Sequence, residues 1–468
     1  MTKQHFIQRS MFSLSRFRTF VLSCFFLSPV MLFAQNTAKL VTPSPTESAV
    51  KLYKFLQDQY GQKIISGVMT GTGSELLNGS NPRPLSNVKE VAYVIGVSDK
   101  TPALVGFDFL NSTGRSPNAN YSKALIAIAT ELWEKGGIPA FCWHWRNPLL
   151  SDSGFYTPEN GSSPVANFDL KTAFTDSNCT EWDEDSDTYR AIIRDIDIVA
   201  GMLGQLQDNG VAVLWRPLHE ASGGWFWWGR YRTQSASATA CKALYRLMFD
   251  RMVNYHGLHN LIWIWTSENT TADFNNWYPG DAYVDMIGRD YYANNAINHN
   301  NSYVTQFQGL QKAYPDKMIA LSENGSIPYP QKMLADGANW SYFMPWWGQY
   351  TIPTAGRPQY NTEEEWVKIM NDPNIITLEN MPGWVDVGIE KNRAVQAAVY
   401  PTRVKDAVYV VCPNSLYSIS VTDIGGRLIS FVPAVNVNTT ISCSDWDSGV
   451  YYLSVIADNG KRTFPVIK

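Results

Sequence analysis

The chain is poor in charge and in cysteine. Charged residues make up 17% of its 468 positions, against 45% hydrophobic ones. That balance excludes a disordered chain. The formal charge is −4. No basic excess is present, so nothing points to a nucleic-acid partner, which needs a basic face. None of the six cysteines stands in a CxxC pair, so a structural zinc site lacks its framework. Repeats, low-complexity tracts and long flexible linkers are absent. No Gly-rich nucleotide loop follows an early strand pattern. The length is about three times a typical domain of roughly 150 residues. It suits one large barrel with an accessory domain, or two to three ordinary domains.

What is abundant is aromatic. The chain has 17 Trp, 24 Tyr and 21 Phe. Sixteen of the Trp lie between positions 133 and 384. A core rarely needs so many indoles, because each buried N–H needs a partner. Flat rings also stack on sugar faces, so the excess leans toward a carbohydrate binder.

The N-terminus reads as an export signal. Residues 1–18 carry Lys3, Arg9, Arg16 and Arg18 and no acid. Thr19 to Ala34 is mostly apolar and is interrupted by Pro29. At 16 residues this run is short for a membrane span, the competing reading. Cleavage is expected after Ala34, leaving a secreted or cell-surface protein, with the periplasm as a further option. Cys24 sits in a weak lipoprotein-like box, but the apolar run continues beyond it. Losing residues 1–34 removes four positive charges, so the mature charge is −4 − 4 = −8. Five cysteines remain: 142, 179, 241, 412 and 443. An odd count leaves at least one free thiol. Cys142 reads as a buried thiol, and a pairing of Cys412 with Cys443 is open.

From 60 to 350, eight short apolar runs alternate with helical patterns. The runs are Lys63–Met69, Ala103–Phe109, Ile138–Trp145, Val211–His219, Leu261–Thr266, Val284–Tyr291, Met318–Ser322 and Tyr342–Trp347. Most are continuously apolar, as in strands buried on both faces. The helical patterns include Tyr121–Lys135, Tyr189–Gln207, Ala236–Tyr255 and Gln306–Tyr314. Strand–helix alternation implies a parallel sheet, and eight units imply an α/β fold of the (β/α)8 TIM-barrel type. A doubly wound open sheet is the alternative. After about 395 the pattern changes to short strands separated by turns such as Gly425-Gly426 and Asn459-Gly460. This predicts a small all-β, sandwich-like domain. The expected organisation is an export signal over 1–34, a barrel over 35–390 and a tail domain over 395–468, with Lys391–Ala397 as a candidate junction.

Active sites of such barrels lie at the C-terminal ends of the strands. The fourth run is apolar as far as Arg216 and then reads Pro217-Leu218-His219-Glu220. A loop with Trp225-Phe226-Trp227-Trp228 follows, and four consecutive aromatics on a loop are poorly explained by packing. The seventh run likewise ends in Ser322-Glu323-Asn324. Two carboxyl groups facing each other across the mouth are the usual equipment for glycosidic bond cleavage. One protonates the leaving oxygen and the other attacks the anomeric carbon. A separation of roughly 5–5.5 Å gives retention of configuration. The bland reading of either residue alone is a strand-end salt bridge. Other strand ends agree: Trp143-His144-Trp145, Arg289-Asp290-Tyr291-Tyr292 and Met344-Pro345-Trp346-Trp347. His144, between two Trp, favours a sugar-hydroxyl contact over a structural role. His219 points away from Glu220 along a regular strand and reaches the other carboxyl only if the strand end bends. Asp108, on the second run, reads as a structural hydrogen-bonding residue.

These motifs resemble clan A glycoside hydrolases, and specifically family 26, the β-mannanases. The strongest match is Trp215-Arg216-Pro217-Leu218-His219-Glu220 with Gly224-Trp225-Phe226-Trp227-Trp228-Gly229. Phe107-Asp108, Trp143-His144-Trp145, Asp290-Tyr291-Tyr292 and Ser322-Glu323-Asn324-Gly325 support it. The resemblance implies retaining endo-hydrolysis of β-1,4-mannan, galactomannan or glucomannan. It implies Glu220 as acid/base and Glu323 as nucleophile, with His219 touching the nucleophile and Tyr292 supporting it. Trp225 and Trp346 would be stacking platforms, and His144 a contact beside the cleavage point. Family members often carry Phe or Tyr after the nucleophile, where this chain has Asn324; a local loop change with activity retained is expected. The same fold also acts on xylan and mixed-linkage glucan, which stay open. A non-catalytic polysaccharide-binding barrel would keep the platforms and lose a carboxylate, and both are present. The chemistry requires no metal or organic cofactor. A polysaccharide substrate and a monomer are expected. The tail resembles a Bacteroidetes C-terminal sorting domain through Val399-Tyr400-Pro401, Asp423-Ile424-Gly425-Gly426-Arg427 and Gly449-Val450-Tyr451-Tyr452-Leu453. That implies the outer-membrane secretion machinery as a partner.

Overall fold

The structure is a computed structural model that describes residues 39–229, 235–268, 274–384, 397–411, 417–425, 427–435, 438–457 and 460–468. The export segment 1–34, Cys24, Cys412, Gly426, Asn459 and nearly all of Lys391–Ala397 lie outside the described residues.

Eight parallel strands form one sheet: β1 (Gly67–Met69), β2 (Leu104–Asp108), β3 (Ile138–Cys142), β4 (Val213–Arg216), β5 (Leu261–Ser267), β6 (Met286–Tyr291), β7 (Met318–Asn324) and β8 (Phe343–Pro345). They pair in chain order from β1 to β8. An isolated parallel bridge from Ile65 to Tyr342 closes the ring, and Ile65 N–H donates to Ser341 O at 3.1 Å. Each expected run contributes one strand. Nearly every strand residue is buried, because the barrel interior and the outer helices cover both faces. That double burial is why the runs were continuously apolar.

The helices begin and stop for local reasons. Ala119–Glu134 is capped by the Asn118 side chain, which accepts from Tyr121 N–H. It ends before Gly136, whose φ of 91° a side chain would disfavour. Asp187–Asp208 is capped by Ser186. Ser235–Phe249 continues into a π-helical turn, Asp250–Tyr255.

The aromatic excess is mostly core. Trp133, Trp143, Trp145, Trp215, Trp227, Trp228, Trp263, Trp340 and Trp366 are among the largest fully buried side chains. Several N–H groups find partners: Trp145 donates to Asp195, Trp340 to Ser302 O and Trp366 to Thr351 O. The Trp225–Trp228 cluster corrects its expected reading. Phe226, Trp227 and Trp228 are buried, and only Trp225 is half-exposed. Packing therefore accounts for three of the four.

The tail is two antiparallel sheets. One holds β9 (Ala398–Tyr400), β10 (Ala407–Val411) and β13 (Thr439–Ser442). The other orders β12 (Leu428–Val435), β11 (Tyr417–Asp423), β14 (Val450–Ala457) and β15 (Gly460–Ile467). Val408, Val410, Ile419, Val421, Ile441, Leu453, Val455 and Val466 share one core distinct from the barrel's. β9 has only three residues, and Lys461-Arg462-Thr463 interrupts the apolar alternation of β15. Cys142, Cys179, Cys241 and Cys443 are free buried thiols. No described helix is long and apolar enough to cross a membrane.

Candidate active site

The end of β4 builds one side of the site. Pro217 has no amide hydrogen, so the ladder stops after Arg216. Leu218 and Glu220 then adopt left-handed backbone, with φ of 49° and 57°. Such values are uncommon outside glycine and cost about 1–3 kcal/mol each. Glu220 N–H donates to Thr266 O at 3.3 Å, which ties this bend to β5. Trp225 Nε1–H donates to Glu220 Oε2 at 2.6 Å. Its ring lies over Gly223, where a Cβ would come 2.2 Å from the indole. Glycine is thus required for Trp225 to reach the carboxyl.

β7 builds the other side. Its register slips between Leu321 and Glu323 against β6. A bulge of this kind re-aims side chains. Ser322 Oγ donates to Asp290 Oδ1 at 2.7 Å, while Glu323 faces the mouth. Arg216, buried, pairs with Asp290 Oδ2 at 2.8 Å and with Glu323 Oε1. Tyr292 donates its hydroxyl to the other Glu323 oxygen, Oε2, at 2.7 Å. One oxygen each of Glu220, Asp290 and Glu323 lies within 4.8 Å of the others.

The electrostatics separate the carboxyls. Burial first, then the charges of Asp290 and Glu323, push Glu220 well above the ordinary carboxylate range. Trp225 and Arg216 oppose that shift without reversing it. Burial pushes Asp290 up to about 8, against the pull of Arg216. Burial and the Glu323 charge raise Tyr292 well above a free phenol, so it remains a donor.

A histidine pair lies beside this trio. Asp108 accepts from His144 N–H at 2.9 Å and faces His144 Nδ1 at 2.7 Å. His144 Nε2 meets His219 Nε2 at 3.3 Å. The tautomers that satisfy all three groups put a proton on His144 Nδ1 and on His219 Nε2. His219 Nδ1 is then bare, and it is buried without a partner. Burial, with Arg216 and His144 nearby, holds His219 well below the usual histidine range, so it is neutral. Its ring therefore bonds His144, while the described hydrogen-bond partners of Glu323 are Arg216 and Tyr292.

His144, His219, Glu220, Trp225, Tyr292, Glu323 and Trp346 all line one cavity of about 250 Å³. Tyr156, Asn160, Ser162 and Phe226 also line it. Sequence reasoning named Phe226, Arg216 and Asp290 within its motifs without giving them a role, and did not single out Tyr156, Asn160 or Ser162. A lone cation ending an apolar strand was the available signal for Arg216. Asn324 is turned away: its Oδ1 accepts from Met344 N–H at 3.0 Å, and its amide donates to Gly325 O and Ser326 O. It staples β7 to β8 instead of lining the cleft. Among the described residues, two groups have metal-site spacing, Asp108–Cys142–His144 and Glu220–Asp290–Glu323. In the second, Arg216 already supplies the cation.

Two carboxyls at the mouth of such a barrel, one raised by burial and one gripped by a guanidinium, are the arrangement that glycoside hydrolases use. The chain belongs to glycosyl hydrolase family 26, whose model matches residues 41–380. Residues 398–468 match the secretion system C-terminal sorting domain, which marks a chain for export to the cell surface or medium. A mannan endo-1,4-beta-mannosidase of Thermothelomyces thermophilus is 35% identical, over 75% of this chain and 65% of its own. Mannan endo-1,4-beta-mannosidase A of Piromyces sp is 32% identical, over 74% of this chain and 51% of its own. This chain therefore spans less than two thirds of either relative. A solved β-mannanase from a symbiotic protist of the termite Reticulitermes speratus, complexed with gluco-manno-oligosaccharide, is 40% identical with a TM-score of 0.64. That likeness covers 74% of this chain and 98% of the other.

Proposed function

We propose that the chain is an exported endo-β-1,4-mannanase that retains anomeric configuration. Glu220 is the general acid and then base, and Glu323 is the nucleophile. The observation that carries this reading is the contrast between two neighbouring carboxyls. Glu220 is pushed up by burial and so holds the proton that the leaving oxygen needs. Glu323 has each oxygen held by a donor, Arg216 and Tyr292. Their nearest oxygens lie no more than 4.8 Å apart, which fits the roughly 5–5.5 Å between carboxyl groups of retaining enzymes better than the wider gap of inverting ones. In the first step Glu323 attacks the anomeric carbon while Glu220 protonates the departing oxygen. In the second, Glu220 takes a proton from water, which displaces Glu323. Trp225 and Trp346 are the stacking platforms, and His144 contacts the sugar beside the cleavage point.

Mannan is favoured because the relatives above carry that activity in their names. The proposed organisation is a signal over 1–34 cleaved after Ala34, a barrel over 35–390 and a tail over 395–468, acting as a monomer through the outer-membrane secretion machinery. The test is a panel of mannan, galactomannan, glucomannan, xylan and mixed-linkage glucan with product sizing. Mixed mannooligosaccharides released first as the β-anomer are expected. Release from xylan or mixed-linkage glucan alone would move the substrate, and an inactive Glu323→Ala beside an active wild type checks the nucleophile.

A further inference from the structure

The loop after β3 folds back over the cleft and is pinned there. Its neck closes where Gly154 meets Val165: a Cβ on Gly154 would come 1.8 Å from the Val165 backbone. Ala166 N–H donates to Tyr156 O at 2.8 Å. The loop is also sewn to the loop that carries Trp225. Thr157 N–H donates to Trp225 O at 2.8 Å, Thr157 Oγ1 to Gly224 O at 2.9 Å, and Trp227 N–H to Phe155 O at 3.1 Å. Tyr156 is consequently fixed against Phe226, with ring centroids 5.6 Å apart and planes at 21°.

Its ring is held, but its hydroxyl is not used. Tyr292 donates to Glu323, whereas the Tyr156 hydroxyl makes no hydrogen bond to any described residue. Yet Tyr156 lines the same cavity as Glu220 and Glu323, and after burial their two charges are the causes that raise its phenol. A rigid, protonated, unspent donor lining the same cavity as both carboxyls is placed to meet a hydroxyl of a bound sugar.

We infer that Tyr156 is a further substrate-binding residue, whose hydroxyl hydrogen-bonds a hydroxyl of the sugar lying between Glu220 and Glu323. This rests on the glycosidase reading above and adds a contact from an element outside the eight strand ends. The pinned loop makes the contact pre-organised, so its loss weakens recognition without loosening the fold.

The experiment compares wild type with Tyr156→Phe, which keeps the ring packed on Phe226 and deletes only the hydroxyl. Activity is read on whichever glycan of the panel wild type cleaves best, and binding of mannopentaose is read by calorimetry in a Glu323→Gln background. We expect kcat/KM to fall about tenfold and binding to weaken by a similar factor, with an unchanged melting temperature. Equal kcat/KM and equal binding in the two chains would overturn the assignment. A wild type that cleaves xylan or mixed-linkage glucan but not mannan removes the mannan reading and leaves the Tyr156 comparison standing on that glycan. A wild type that neither cleaves nor binds any of them overturns both.

Discussion

Tyr292 and Glu323 are joined by a 2.7 Å hydrogen bond to Oε2, the oxygen that Arg216 does not hold. Glu323 is therefore oriented from two sides, by Arg216 at the end of β4 and by Tyr292 just past the end of β6. Deleting the phenol alone tests that division. Tyr292→Phe is expected to lower kcat by about 10- to 100-fold, the worth of a charged hydrogen bond. Folding should survive, since the ring remains. Steady-state kinetics beside a thermal melt decide it, and a kcat within twofold of wild type would count against the role.

Arg216 is the shared counter-ion of Asp290 and Glu323, and all three are buried. Arg216→Met strands two carboxyls in the barrel. Breaking a buried pair in this way costs about 3–5 kcal/mol. Arg216→Lys is expected to rescue little, because one ammonium cannot reach both carboxylates as a fork does. Denaturant unfolding measures both.

The Trp225 hydrogen bond favours the charged form of Glu220. Removing the donor in Trp225→Phe should raise Glu220 further. An acid that must be protonated then keeps working to higher pH, so the alkaline limb of kcat/KM moves up. A limb that stays or moves down would show that the indole does not tune this carboxyl.

Burial raises Asp285 to about 7, Asp290 to about 8 and Glu220 well above the ordinary carboxylate range, against about 4 for an unfolded carboxyl. Between those values the folded chain binds more protons than the unfolded one. The stability that Asp285 and Asp290 contribute is therefore full below pH about 4 and is lost as pH rises through about 7–8, and that of Glu220 falls in the same direction as pH rises. Glu220→Gln removes its share of the loss. It should melt higher than wild type near pH 8, with the advantage gone near pH 4, while activity collapses. Melting curves across pH check the sign.

The barrel was legible because burial on both faces forces long apolar runs, and Gly136 and Ser186 mark helix ends through their own backbone chemistry. Glu220 and Glu323 were legible for the converse reason: a carboxyl ending an apolar run has nowhere useful to point except the mouth. The aromatic tally pointed to the right class of partner but not to the rings that line the cleft, because composition counts rings without saying which face water. Trp227 and Trp228 are core, and Trp225 beside them is not. Nothing local announces that Leu218 and Glu220 turn left-handed, that Ser322 bulges, or that His219 meets His144.

Those last facts depend on partners far along the chain. Arg216 finds Asp290 and Glu323 across 74 and 107 positions, and Tyr156 is held by a loop about 70 residues later. Periodicity and strand-end chemistry are local, so the chain alone set the eight strands and the two glutamates. Charge sharing, protonation and the pinning of a loop are sums over neighbours brought together by the closed barrel, so they emerge only in three dimensions.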